Sequence, residues 1–295
     1  MEKRKYGSTD MEVSVLGFGG AEIGQSDEQT VDRLLGSALD AGLNLIDTAE
    51  CYGNSEELIG KVLAKRRNDY YLFTKCGHAA GLDLPDWDPL MLEQSIDRSL
   101  KRLRTDYVDM IHLHSCGEEI LRQGAVIEVL QRAKEAGKTR YIGYSGDRND
   151  ALYAVQTGVF DSLETSVNIA DQEVIDLTLA EAANRGMGVT AKRPIANAAW
   201  AFETMEETAY PFVYWNRLRE LNYDFLDDVK KGVGIALRFT LSTPGVHTAI
   251  VGTNKPDRWQ ENARLLEQGE LPEEQYERIR ARWKEVAGND WVGQT

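Results

Sequence analysis

Eight short apolar, β-type runs alternating with longer amphipathic segments predict a closed parallel α/β barrel of the (β/α)8, or TIM-barrel, class. Strand-to-strand spacings of roughly 20 to 40 residues leave room for one helix and its loops. A length of 295 residues suits one barrel with small additions better than two separate units. No internal repeat, low-complexity tract or Gly/Ser/Pro-rich linker divides the chain, so residues 1–295 are expected to form a single domain.

The elements follow in order. Lys3–Tyr6 and Glu12–Ser14 flank Ser8-Thr9-Asp10 and read as an N-terminal β-hairpin, with no glycine at that turn. Leu16–Phe18 is the first barrel run. Val31, Leu34, Leu35, Ala38 and Leu39 then keep one helical face apolar. The other strands are expected at Leu43–Ile46, Tyr70–Thr74, Tyr107–Leu113, Arg140–Gly143, Ser162–Val167, Met187–Ala191 and Val246–Val251. Asp88-Pro89 supplies a cap and a first-turn proline for a helix carrying Leu92, Ile96, Leu100 and Leu103. Asp171–Asn184 reads as one helix with Val174, Leu177 and Ala180 along one side. Gly42, Gly137 and Gly186 stand where a left-handed residue ends a helix. The aromatic-rich stretch Asn197–Tyr223 is irregular and is expected to form a lid or pocket wall. An extra helix is expected near the C-terminus, followed by the short tail Gly288–Thr295.

Charge narrows the function. The chain has 34 Lys+Arg against 48 Asp+Glu, a net charge of −14, which argues against nucleic acid and anionic membrane surfaces as partners. Any anionic ligand must be held by a few placed cations. The basic start MEKRKYGSTDMEV has no apolar run behind it, and no stretch approaches the ~18 to 20 apolar residues of a membrane span. Cys51, Cys76 and Cys116 cannot all pair and form no C-x-x-C spacing, so a reduced, cytoplasmic setting is expected, with the thiols as small buried hydrophobes.

Catalytic groups of such barrels sit at the C-terminal ends of strands. Reading only those positions gives Asp47-Thr48-Ala49-Glu50-Cys51-Tyr52-Gly53, then Thr74-Lys75, then Asp109 to His114. A tyrosine is a poor proton donor unless its phenolate is stabilised. An ammonium from Lys75, held charged and oriented by Asp47, would do that for Tyr52. Tyr52 would then pass a proton to a carbonyl oxygen as hydride reaches the carbon, with His114 orienting the oxygen. His112-Leu113-His114 also has the H-x-H spacing of metal-dependent hydrolase barrels. Neither His78 nor His247 has an obvious ligand partner at a strand end, so no metal is expected. Leu16-Gly17-Phe18-Gly19-Gly20-Ala21-Glu22 starts as G-x-G, but Glu22 at the sixth position breaks the Rossmann fingerprint.

Asp47-x-Ala49-x-x-Tyr52-Gly53, Thr74-Lys75, and Asp109 followed five residues later by His114 resemble the active-site segments of aldo-keto reductases. The resemblance covers nearly the whole chain. It includes Leu16-Gly17-Phe18-Gly19, Tyr141-Ile142-Gly143-x-Ser145, Asn168, and Ile250-Val251-Gly252 with Glu261-Asn262. It implies a (β/α)8 barrel, NADPH-dependent reduction of an aldehyde or ketone, and His114 in place of His112 as the catalytic histidine.

By the same resemblance the cofactor residues are Gly19, Ser145, Glu164, Lys192, Gly252, Thr253, Arg258, Glu261 and Asn262. Ser145 matches a carboxamide contact. Glu164 stands where glutamine is usual, and Lys192 where an aromatic residue stacks on the nicotinamide. The two are expected to compensate one another as a pair. Thr253 and Arg258 match contacts to a 2′-phosphate, and Glu261 and Asn262 match adenine contacts, at a loop running into a helix N-terminus. NADP(H) is thus expected over NAD(H). Trp87 and Trp200 are candidate substrate-pocket walls, with Trp215, Trp291 and His78 as further possibilities. The expected partner is a small-molecule carbonyl compound, and the expected state a monomer or weak homo-oligomer. A cofactor-binding regulatory or scaffold protein with little turnover is the alternative.

Overall fold

A computed structural model describes residues 1–294. Strands β1 (Lys3–Lys5) and β2 (Glu12–Ser14) form the N-terminal hairpin. A closed parallel barrel follows: β3 (Leu16–Gly19), β4 (Leu45–Asp47), β5 (Tyr71–Cys76), β6 (Val108–His114), β7 (Thr139–Ser145), β8 (Ser162–Ser166), β9 (Gly188–Lys192) and β10 (Thr248–Gly252), with β10 pairing back onto β3. Around it lie α1 (Glu28–Asp40), α2 (Ser55–Val62), α3 (Pro89–Leu103), α4 (Glu118–Gln123), α5 (Ala125–Glu135), α6 (Arg148–Thr157), α7 (Glu173–Leu177), α8 (Leu179–Asn184), α9 (Phe212–Leu221), α10 (Val229–Ser242), α11 (Arg258–Leu265) and α12 (Glu273–Val286). No helix among the described residues is long and apolar enough to cross a membrane.

Local chemistry explains the boundaries. Asp27 caps α1 by accepting from the Thr30 amide at 2.9 Å, and Asp88 caps α3 ahead of Pro89. Buried Val31, Leu34, Leu35, Ala38 and Leu39 seat α1 on the barrel. The hairpin closes the N-terminal mouth of the barrel. Tyr6 packs in one apolar cluster with Met11, Val13, Leu45, Phe73, Met110 and Ile250, and its hydroxyl bonds Ser162 Oγ at 2.6 Å and Thr190 Oγ1 at 2.7 Å. The turn does use a glycine, contrary to expectation: Gly7 has φ +55° and lies against the backbone of Gly186–Gly188, where a side chain has no room.

Two other expectations need correction. Asp171–Asn184 is split into α7 and α8 at Thr178, whose φ of −129° leaves the helical region. The stretch Asn197–Tyr223 contains α9, which buries Tyr214, Arg217, Leu218 and Leu221. Most of the barrel strands also run one or two residues further than the apolar runs indicated, so that Asp47, Lys75, His114, Ser145 and Lys192 are the last or next-to-last residues of strands.

This places the polar groups by simple alternation. Residues two apart on a strand share a face. Leu45, Phe73, Met110, Gly143 and Ser162 are each followed two positions later by Asp47, Lys75, His112, Ser145 and Glu164. The register pairs Phe73 with Met110, Lys75 with His112, His112 with Gly143, and Ser145 with Glu164. A layer near the hairpin that is apolar except for Ser162 therefore lies beneath a polar layer at the opposite mouth.

Candidate active site

Lys75 is fully buried at the centre of that polar layer. Its ammonium contacts Asp47, donates to the Thr48 carbonyl at 3.0 Å, and lies 3.3 Å from Glu164 Oε1. Two buried carboxylates thus face one cation. Burial and the neighbouring Glu164 charge push the Asp47 carboxyl well above its ordinary range, while Lys75 offsets the burial of Glu164 and holds it down at about 2. Lys75 stays charged well past its ordinary value, the two carboxylates outweighing its own desolvation.

Tyr52 follows β4 in a short loop, half-buried, with Lys75 Nζ 5.3 Å from its ring centroid. Burial pushes its hydroxyl up, and Lys75 is the largest influence pulling it back. The His114 ring stands edge-on to Tyr52 with centroids 5.6 Å apart. Burial, then the Lys75 charge, depress His114 well below the ordinary imidazole value, so the ring is neutral at physiological pH. Its Nδ1 lies 3.6 Å from Cys51 Sγ and 4.0 Å from Glu50 Oε2.

His112 serves packing. It is fully buried, bonds Ser162 Oγ at 3.0 Å, and rests on Gly143, where even a methyl group would collide with its ring. Asp109 turns away, taking Arg67 and Arg140 at 2.8 Å each. His78 lies 5.3 Å from His114 and 5.7 Å from Trp87, ring to ring, and pairs with Asp86 at 2.9 Å. Trp87 is therefore beside the cluster. Trp200 sits elsewhere, its indole against Gly232 of α10 in a groove of about 220 Å³ with Trp215 and Leu218.

The expected Glu164–Lys192 pair does not form. Lys192 instead forms an ion pair with Asp147 Oδ2 at 2.9 Å, and Glu164 turns to Lys75. Asp147, two positions past Ser145, is the nearer carboxylate because its other oxygen is already fixed by Thr165 Oγ1 at 2.8 Å and the Ser166 amide at 2.7 Å. Ser145 Oγ donates to Glu164 Oε1 at 3.2 Å. Gly19 and Gly252 are register partners on β3 and β10, so the backbones meet there without side chains. Beyond them, Thr253 accepts from the Lys255 amide at 3.0 Å, Arg258 pairs with Glu261 at 3.2 Å, and Asn262 is buried. Buried Trp259 pins this start of α11 by donating to the Gly17 carbonyl at 3.3 Å.

The aldo/keto reductase family profile matches residues 15–284, which include the whole barrel. This chain belongs to the aldo/keto reductase family. L-galactose dehydrogenase of Arabidopsis thaliana is 30% identical over 282 residues, covering 89% of this chain and 87% of that one. The uncharacterized oxidoreductase YqkF of Bacillus subtilis is 27% identical and covers 97% of both. Among solved structures, the holo form of aldo-keto reductase AKR11C1 from Bacillus halodurans superimposes with a TM-score of 0.82 at 26% identity over 99% of both chains. As an aldo-keto reductase the protein is an oxidoreductase of a family that acts on small carbonyl compounds and binds nicotinamide dinucleotides.

Three residues of this aldo-keto reductase escaped the sequence reading. Glu50 lies between two recognised residues, and burial pushes its carboxyl up to about 7. Asp147 follows Ser145 at an alternate position. Arg193 bonds Ser166 Oγ at 2.8 Å and also reaches the Gln294 carbonyl. Only the strand-end position common to all three pointed to them.

Proposed function

We propose that the protein is an NADPH-dependent reductase of aldehyde or ketone carbonyls in which Tyr52 gives the proton. When bound, the dinucleotide supplies hydride to the carbonyl carbon. Tyr52 passes its hydroxyl proton to the oxygen as negative charge grows there. Lys75 eases that loss electrostatically, and Asp47 with Glu164 keeps Lys75 charged and in place. Neutral His114, accepting the Cys51 thiol hydrogen at Nδ1, keeps its own proton on Nε2 and can donate it to the substrate oxygen. Trp87, beside His78, would wall the substrate pocket; Trp200 would contribute only if a substrate extends toward α10.

The observation that carries this reading is the buried Lys75 ammonium, shared by two carboxylates and lying against the Tyr52 ring. For the cofactor, Glu164 Oε2 and Asn168 Nδ2 are buried without hydrogen-bond partners among the described residues. They are one acceptor within β8 and one donor just beyond it, complementary to the two ends of a primary carboxamide. Ser145 joins them. Lys192, Gly19 and Gly252 would line the dinucleotide's path. Thr253 and Arg258 would hold a 2′-phosphate, and Glu261 and Asn262 the adenine. The test is NADPH oxidation across a panel of aldehydes and ketones, with Tyr52→Phe as control. Turnover that depends on Tyr52 supports the reductase, and tight NADPH binding with no turnover on any carbonyl would favour a regulatory, cofactor-binding role.

A further inference from the structure

We propose that Glu50, Cys51 and His114 form a binding site for a thiophilic divalent cation, with Zn²⁺ the ion best matched to the donor set. The carboxylate oxygen, thiol sulfur and imidazole nitrogen all lie within 4.8 Å of one another. Cys51 Sγ is 3.6 Å and Glu50 Oε2 4.0 Å from His114 Nδ1. Tetrahedral zinc spaces such donors about 3.3–3.6 Å apart. The sulfur–nitrogen separation already fits, and the carboxylate has to close on the imidazole by roughly half an ångström and to settle against a sulfur that lies within 4.8 Å of it.

A second observation concerns Glu50 itself. The residue is 2% exposed, and its Oε2 has no hydrogen-bond partner among the described residues. Its other oxygen accepts the His78 amide at 2.9 Å, which orients the free oxygen toward His114. A carboxylate held from behind by a backbone amide is the usual outer-shell arrangement of a metal ligand. Cys51 is exposed, which gives an ion a way in. The three donors leave a fourth position open. On ligation the S–H bond gives way to S–Zn and the proton leaves to solvent, so thiolate and carboxylate balance the divalent charge.

A second trio, Asp47, His112 and Glu164, also meets the distance criterion. It already surrounds the Lys75 ammonium, so it holds a cation of its own. His114 belongs to both the cation site and the reductase machinery, which makes Zn²⁺ a candidate effector of that machinery.

The test is equilibrium dialysis of Zn²⁺ against the full chain, without dinucleotide or carbonyl compound, with Co²⁺ as an optical probe. Because no turnover is measured, the outcome is independent of the reductase reading. One Zn²⁺ per chain is expected, with a Co²⁺–thiolate charge-transfer band. Cys51→Ser and Glu50→Gln should each weaken binding at least 10-fold, whereas Cys116→Ser should leave it unchanged. Absence of stoichiometric binding, absence of the band, or binding undiminished by Cys51→Ser would overturn the proposal. Cys51 is exposed and serine nearly isosteric, so that variant keeps the test decisive should Glu50→Gln fail to fold.

Discussion

Replacing Lys75 with methionine should lower kcat by about 100-fold and destabilise the fold by about 3–5 kcal/mol, and the two losses should separate when Glu164→Gln is added. The rate effect follows from the 5.3 Å between Lys75 Nζ and the Tyr52 ring. An ammonium about 5 Å from a developing phenolate interacts with it by about 3 kcal/mol at an effective dielectric of ~20, which is about two orders of magnitude in rate. The stability effect follows from leaving Asp47 and Glu164 buried without their ammonium. In Lys75→Met/Glu164→Gln, Glu164's charge is gone and Asp47, already pushed up by burial, takes a proton. Urea unfolding should then recover most of the lost stability, while saturating NADPH oxidation stays as slow as in Lys75→Met. A double variant no more stable than Lys75→Met would refute the two-carboxylate reasoning. A kcat within about threefold of the parent in Lys75→Met would refute the electrostatic role, since about 3 kcal/mol is expected.

Two further outcomes follow from the structure. Asp171 is fully buried and accepts from Tyr214 at 2.9 Å; burial, then repulsion from Asp147, pushes its carboxyl from 3.8 up to about 7. The native state therefore keeps a proton that the unfolded chain releases, a stabilisation complete below about pH 4 and lost as pH rises through about 7. Relative to Asp171→Asn, the parent should lose up to about 4 kcal/mol between those limits in urea melts, and a pH-independent difference would count against it. Arg258→Ala should raise the NADPH dissociation constant about tenfold, the low end for a charged hydrogen bond because the side chain is half-exposed. NADH binding should not change, and fluorescence titration of both dinucleotides checks the pair.

The order and number of barrel strands were legible because each buried strand is a short apolar run between helical patterns, as at Tyr107–Leu113. Their ends were less legible. Lys75 and His114 are polar, so they look like loop, yet parallel pairing keeps them in β5 and β6. The residues of the candidate site were readable from strand-end position and spacing, whereas their partners were not. Glu164 and Lys192 carry opposite charges on adjacent strands, but three-dimensional placement gives Glu164 to Lys75 and Lys192 to Asp147. The grip of Arg148 and Arg217 on the tail backbone, through the Gly293 and Val292 carbonyls, joins residues 75 to 145 positions apart and leaves no local pattern. Helix α9 was hidden because its buried face, Tyr214, Arg217, Leu218 and Leu221, carries an arginine, and Arg217 is buried there against the Ala170 carbonyl.

Isotope transfer tests the central claim most directly. The protein, NADPH deuterated at the nicotinamide C4 and an aldehyde are incubated, and the alcohol is examined by mass spectrometry alongside the Tyr52→Phe reaction. One deuterium at the former carbonyl carbon, with product formation at least 100-fold slower in Tyr52→Phe, is the predicted result. Deuterated alcohol formed at an undiminished rate by Tyr52→Phe, or no deuterated alcohol from the parent protein, would contradict it.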